Sequence, residues 1–109
     1  MNRPPVLVKR VIDRLVRAFA PERIVLFGSY AKGTSAPDSD VDLLVIADLE
    51  GDPEQHLRRA HQLASDCFPP VDVVIATPEE VAAAPTAPSP FLQSVLETGV
   101  TMYQRPSGG

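Results

Sequence analysis

Two carboxylates separated by a single residue constrain the fold of this 109-residue chain more than any other feature. Asp40 and Asp42 open the apolar run 41–47, which has the composition of a β-strand. Because side chains alternate along a strand, both carboxylates project from one face, whereas Val41 and Leu43 point into the core. Two acids on one face repel each other unless a cation joins them. The sequence therefore predicts a strand with an acidic, metal-binding end.

A glycine-rich segment lies between this strand and an earlier strand-like run, 24–27. Gly28 and Gly33 permit a tight turn in which backbone N–H groups closely approach an anion. Ser29 adds a hydroxyl group and Lys32 adds a positive charge. Magnesium commonly takes one or two protein carboxylates together with substrate phosphates. The loop and the acids together predict a nucleoside triphosphate site with bound Mg²⁺, in which the phosphates lie on the loop side.

The same residues resemble the signature of the nucleotidyltransferase superfamily that includes DNA polymerase beta. That signature is Gly-Ser, then Ala-Arg-Gly or similar, then Ser-Asp-x-Asp-Leu. The chain matches it at Gly28, Ser29, Ala31, Gly33, Ser39, Asp40, Asp42 and Leu43. Lys32 departs from the arginine typical of the minimal nucleotidyltransferase branch, so that a bidentate phosphate contact becomes a point charge.

The resemblance implies a role for each of these residues. Asp40, Asp42 and a third carboxylate on a neighbouring strand would be catalytic and would hold Mg²⁺, as two ions. The third is Asp72, the only later acid within a strand-like run, and its burial among β-branched residues would be costly without a partner. Residues that would bind the nucleotide, with ATP as the substrate, are Gly28, Ser29, Lys32 and Ser39.

The resemblance also implies a reaction and a partner. An acceptor oxygen would attack the α-phosphorus of the nucleotide, pyrophosphate would leave, and Asp72 would help to take the acceptor proton. Larger members carry a further domain for the acceptor, whereas this chain ends after the core, so we expect a second molecule to supply the acceptor surface. Minimal members commonly act beside a small helical HEPN protein, as the antitoxin that transfers AMP to a tyrosine of the toxin.

Two alternative functions stay open at this point. Beside transfer of AMP to a toxin, the first alternative is a small-molecule or antibiotic nucleotidyltransferase that becomes complete as a homodimer. The second is a non-catalytic antitoxin that works by occupying its partner. The acceptor is not encoded in any motif of the chain. The identity of the protein that the neighbouring gene encodes is the observation that best discriminates among these functions.

Length and composition predict one domain at 1–105, which the resemblance implies is a minimal nucleotidyltransferase domain, and a flexible tail at 106–109. The net charge of −4 argues against a non-specific nucleic-acid binder, whose affinity would depend on phosphate neutralisation. No apolar run approaches the roughly 18 residues that a membrane span needs. The single cysteine, Cys67, excludes an internal disulfide and is compatible with a cytoplasmic protein.

Hydrophobic periodicity and capping signals predict an α/β (α+β) fold, in which a small mixed sheet is flanked by helices and carries the acids at one rim. Asp52 and Thr77 begin capping-box sequences, each followed by proline. Ser89 precedes the last helix in the same way, and Ala82 to Pro90 read as a surface loop. The predicted helices are 5–19, 53–68, a short one after residue 77, and 91–98; the predicted strands are 24–27, 41–47, 71–75 and 100–104.

Several other side chains have a structural interpretation. His56 and His61 are five residues apart and point about 140° apart on a helix, which favours two solvated histidines over a shared metal. The basic face of the first helix, which includes Arg14, is interpreted as solvated surface, with an acidic partner as the alternative. Tyr30 either stacks on a nucleotide base or covers the edge of the core.

Overall fold

Four strands form a mixed sheet in the computed structural model, which describes residues 6–33, 40–66, 70–84 and 90–106. The strands are β1 (Arg23–Phe27), β2 (Val41–Ile46), β3 (Val71–Ala76) and β4 (Val100–Gln104). Their order in the sheet is β3-β2-β1-β4. β1 is antiparallel to β2 and to β4, whereas β2 and β3 are parallel. The predicted mixed sheet is confirmed, and β3 forms one of its edges.

Helices cover both faces of the sheet. They are α1 (Val6–Phe19), α2 (Ser29–Lys32), α3 (Pro53–Leu63), α4 (Pro78–Ala83) and α5 (Pro90–Thr98). α1 and α3 pack on one face, where Leu15 and Ala60 join Leu43 in a buried cluster. On the opposite face, Leu92 and Val95 of α5 pack in a second cluster with strand residues of β1 and β2. Within the described residues, none of the helices is long and apolar enough to cross a membrane.

The first helix ends where the sequence predicts, at Phe19. Ala20 then adopts a left-handed conformation with φ of 46°, and its N–H donates to the Val16 carbonyl at 2.9 Å. Lys9, Arg10 and Arg17 on the basic face of α1 are exposed, in agreement with the prediction, and Arg14 is partly exposed. Arg14 donates to both carboxylate oxygens of Asp66, at 2.7 and 3.2 Å, and to the Leu63 carbonyl at 3.0 Å. This bidentate contact joins α1 to the segment that follows α3.

Two of the three predicted capping residues, Asp52 and Thr77, cap helices in the structure, but they do so differently. Thr77 forms a complete capping box with Glu80, with reciprocal bonds of 3.1 and 3.0 Å. The side chain of Asp52 accepts from the backbone N–H of Glu54, at 3.0 Å. The backbone N–H of Gln55 donates to the main-chain carbonyl of Asp52 instead of to its side chain. α3 ends at Leu63, short of the predicted residue 68.

Some predictions differ from the structure or fall outside it. Leu57 of α3 is 37% exposed, because it lies beside a groove at the edge of the sheet. The predicted loop at 82–90 is shorter at both ends, since α4 continues to residue 83 and α5 begins at residue 90. Predictions that lie outside the described residues concern Ser39, Cys67, Phe68, Ser89 and the tail beyond residue 106.

Candidate functional site

Asp42 of β2 and Asp72 of β3 lie directly opposite each other in the parallel register. Adjacent strands are about 4.8 Å apart, and register partners project from the same face of a sheet. The topology therefore brings two of the predicted acids side by side, although 29 residues separate them along the chain. Asp40 precedes β2 and is exposed.

Charge and burial both disfavour the ionised form of Asp42. Its partial burial raises the pKa of the carboxyl group, and the negative charges of Asp72 and then Asp40 raise it further. The negative charges of Asp72 and Asp40 thus both act on the carboxylate of Asp42. A cation at Asp42 would remove both sources of this repulsion.

Gly28 abuts the carboxylate of Asp42 at the end of β1. A Cβ atom built on Gly28 would overlap Oδ2 of Asp42 and would lie 3.2 Å from its Cγ. Gly28 also has φ of +76°, in the left-handed region that L side chains rarely adopt. Two independent constraints therefore require glycine here. The predicted tight turn contains a four-residue helix, α2, which Gly33 follows with φ of +74°.

Asp72 is not buried, contrary to the argument that its burial demands a partner. Its side chain is 60% exposed, because β3 lies at the edge of the sheet. Val73 beside it is 1% exposed and points to the opposite face, into the core. The strand-like run around Asp72 was thus correctly predicted, but the sequence did not indicate an edge position.

His61 of α3 is a site neighbour that sequence reasoning missed. Its Nε2 lies 3.0 Å from the Val73 carbonyl and 3.6 Å from Oδ1 of Asp72. His56 is also more than a solvated helix residue, since its Nε2 contacts the Glu50 carbonyl and its ring meets Phe19 edge-on. No local signal in the sequence predicts these contacts, because they depend on how α3 packs beside β3.

An aromatic pair flanks the acids on the other side. Phe27 of β1 is the register partner of Asp42, so that Phe27, Asp42 and Asp72 form a row across three strands. The ring of Phe91 meets Phe27 edge-on, with centroids 5.5 Å apart, and is 49% exposed. Tyr30, in contrast, is 6% exposed and packs in the core cluster, which favours the second of its two predicted roles.

The donor set fits a hard cation. Carboxylate oxygens are the ligands that Mg²⁺ prefers, and the repulsion at Asp42 is of the kind a cation relieves. Within the described part of the chain, no group of three or more His, Cys, Asp or Glu side chains is gathered closely enough to hold a metal ion as it stands. The alignment of Asp42 with Asp72 is observed, and a site that includes Asp40 stays a prediction.

The predicted phosphate ligands are placed only in part. Ser29 and Lys32 are the first and last residues of α2, directly after Gly28, and the structure describes them at the level of the backbone. Ser39 lies outside the described residues. The roles of these three side chains therefore stay predictions.

The sequence matches the family model of the nucleotidyltransferase domain over residues 8–88, and the chain belongs to this family. The match covers the sheet strands β1 to β3 and the row of Asp42 and Asp72. The family assignment made from the signature is thereby confirmed.

One sequence relative and one solved structure are similar to this chain. A Methanocaldococcus jannaschii protein named "putative protein adenylyltransferase" is 45% identical over 31 residues, which span 28% of this chain and 31% of that relative. The fold is similar to a crystal structure named "putative nucleotidyltransferase" from Sulfolobus solfataricus, with a TM-score of 0.66, 19% identity, and coverage of 94% of this chain and 81% of the other.

Two toxin–antitoxin structures are also similar. A crystal structure of a toxin–antitoxin with AMP-PNP matches with a TM-score of 0.55 and 25% identity, covering 87% of this chain and 72% of that one. A mutant form of the toxin–antitoxin MntA-HpeT matches with a TM-score of 0.57 and 26% identity, covering 86% and 70%.

Proposed function

We propose that this nucleotidyltransferase is a Mg²⁺-dependent enzyme that moves AMP from ATP to a hydroxyl group, the acceptor being a tyrosine of a helical HEPN toxin for which it is the antitoxin. The alignment of Asp42 with Asp72 beside Gly28 is the observation that carries this proposal. Asp42 lies directly against Gly28, and Asp72 is its register partner on the neighbouring strand. The similarity to two toxin–antitoxin structures, one of them with AMP-PNP, supports the nucleotide and the class of partner.

The residues of the chain divide the work of the reaction. Asp40, Asp42 and Asp72 would hold Mg²⁺, which when bound neutralises phosphate charge and lowers the barrier to in-line displacement. The backbone N–H groups after Gly28, together with Ser29, Lys32 and Ser39, hold the β- and γ-phosphates. The exposed carboxylate of Asp72 faces the acceptor and takes the proton of its hydroxyl group. A bond forms between the acceptor oxygen and the α-phosphorus, the bond to the β-phosphate oxygen breaks, and pyrophosphate leaves.

Intact-mass spectrometry tests the proposal. The protein is incubated with ATP and Mg²⁺, alone and with the protein encoded by the adjacent gene. We expect the neighbouring protein to gain the mass of one or more adenylyl groups, and Asp42→Asn to abolish the gain. If a small-molecule acceptor such as an aminoglycoside is adenylylated while the neighbour stays unmodified, the small-molecule function is correct. If the two proteins co-purify without any modification, the chain acts by binding alone.

Asp72→Asn separates chemistry from nucleotide binding. Because Asp72 lies at the exposed edge and serves the acceptor side, we expect the variant to lose transfer while calorimetry still detects ATP binding in Mg²⁺. The matched control is Asp48→Asn, which removes an exposed carboxylate after β2 that belongs to none of the proposed ligands. Equal loss of transfer and of ATP binding in Asp72→Asn would place this residue at the nucleotide instead.

A further inference from the structure

A groove of about 420 Å³ runs along β3 and ends at Asp72. α3 forms one wall and the start of α4 forms the other. Its lining is mainly apolar and includes Leu49, Leu57 and Ile75. Leu57 is exposed there, although it belongs to the apolar side of α3.

The outer edge of β3 forms the floor of this groove. Val41 donates to the Pro70 carbonyl and Ala47 donates to the Ala76 carbonyl, so the even-numbered residues of this segment hydrogen-bond to β2. Along a strand, the N–H and C=O groups of successive residues point alternately to its two sides. Those of Val73 and Ile75 therefore point away from β2, toward the open edge of the sheet. His61 contacts the Val73 carbonyl. Among the described strands β3 pairs only with β2, so the Val73 N–H and both backbone groups of Ile75 have no partner strand.

The charges around the groove select the kind of segment that can bind. Asp72, Glu54 and Glu80 line it, and the described lining residues include no lysine or arginine. A second copy of the chain would bring the same acids against these acids, and each copy carries a net charge of −4. A segment with lysine or arginine next to apolar side chains complements the groove instead.

We infer that the β3 edge and its groove bind an extended, basic and apolar segment of the acceptor protein, which adds to the sheet as a fifth strand. Strand addition supplies backbone hydrogen bonds for affinity and pockets for alternate side chains for selectivity. The groove ends at Asp72, so a strand bound there leads an acceptor hydroxyl toward the carboxylate. The role as acceptor site rests on the proposed function, whereas the binding itself does not.

Amide hydrogen exchange with a peptide probe tests the inference, without ATP or Mg²⁺. The probe is a fluorescein-labelled peptide, Lys-Val-Thr-Val-Tyr-Val-Lys, and its partner replaces both lysines by glutamate. We expect the lysine peptide to slow exchange at Val73 and Ile75 by about ten-fold or more, while Val74, already bonded to β2, is unchanged. Fluorescence anisotropy should show tighter binding of the lysine peptide than of the glutamate peptide.

A charge-reversal pair controls for the overall charge of the protein. Glu54→Lys in the groove should weaken binding of the lysine peptide by roughly three- to ten-fold. Glu97→Lys, an exposed residue of α5 with the same charge change, should leave binding unaltered. Binding without protection of Val73 and Ile75, or equal effects of the two variants, would overturn the inference. Protection that rises with protein concentration in the absence of peptide would assign the edge to a second copy of the chain.

The two proposals can fail separately. Loss of adenylyl transfer with intact peptide binding refutes the proposed reaction alone. Intact transfer to the neighbouring protein without any peptide effect at β3 refutes the edge site alone.

Discussion

At the scale of single residues, the contact between Gly28 and Asp42 determines what the site tolerates. The left-handed backbone at Gly28 and the adjacent carboxylate each exclude a Cβ atom. Gly33 has nearly the same φ, but a Cβ atom built there has no neighbour within 4 Å. Substitutions at the two glycines therefore distinguish two effects: backbone strain arises at both positions, and steric conflict with the site arises only at Gly28.

Gly28→Ala should destabilise the protein and displace Asp42, whereas Gly33→Ala should only destabilise it. Left-handed alanine costs about 1–2 kcal/mol in both variants. We expect Gly28→Ala to lose more stability than Gly33→Ala and to lose about a hundred-fold in transfer rate, because a small misplacement of a catalytic group has effects of this size. Thermal unfolding and the intact-mass assay measure the two quantities. Equal transfer rates in the two variants would contradict the contact with Asp42.

Asp42→Asn should raise the melting temperature at neutral pH by a few degrees in the absence of metal. The pKa of Asp42 is raised in the folded protein, so its ionised form opposes folding. This destabilisation is complete above the folded-state pKa and disappears as the pH falls below the unfolded-state pKa. The difference between variant and wild type should shrink accordingly in melting curves recorded from neutral to acidic pH. Asp48→Asn, at an exposed position, is the control and should show no comparable gain.

At the scale of elements, the contact between Arg14 and Asp66 joins α1 to the end of α3. The guanidinium group beside Asp66 lowers the pKa of that carboxyl. Its contribution to stability is therefore present above the unfolded-state pKa and is lost as the pH falls through the lowered folded-state pKa. Asp66→Asn should lower the melting temperature by about 1–2 °C at neutral pH and not at all at strongly acidic pH. The control is Asp13→Asn, at an exposed acid of α1, which should leave the melting temperature unchanged at both pH values. An equal loss in both variants would attribute the effect to net charge.

The sequence predicts those features of the site that depend on neighbouring residues, and it does not predict those that depend on how distant segments pack. The strand with Asp42 and the caps at Asp52 and Thr77 follow from local alternation and capping chemistry, and the structure contains them. The edge position of Asp72 depends on the order of strands in the sheet, which no local pattern encodes. The contact of His61 with Asp72 depends on the packing of α3 against β3, and it was missed for the same reason.

At the scale of the whole molecule, charge couples the site to overall stability. The protein carries a net charge of −4, and three of its acids interact at one rim of the sheet. A cation that binds only the folded protein stabilises it in proportion to its occupancy, by about 1.4 kcal/mol at a ten-fold excess over the Kd. Metal binding should therefore be visible in the stability of the entire domain.

Millimolar Mg²⁺ should raise the melting temperature by several degrees, and Mg²⁺ with ATP should raise it further. ATP without metal should have little effect, because Asp42 and Asp72 repel the triphosphate. Differential scanning calorimetry measures these shifts. In the double variant Asp42→Asn and Asp72→Asn, the shift from Mg²⁺ should vanish; a shift of the same size there would remove the paired acids as the metal site.

The parallel pairing of β2 with β3 also sets the time at which the site comes into existence during synthesis. A nascent chain that has emerged only as far as residue 66 already contains the complete glycine and acid signature, yet it lacks β3, the strand that carries Asp72. Parallel pairing must wait for the crossover helix α3 and for closure of a long loop, which makes it a slow step of folding. The alignment of Asp42 with Asp72 thus forms only after β3 has left the ribosome.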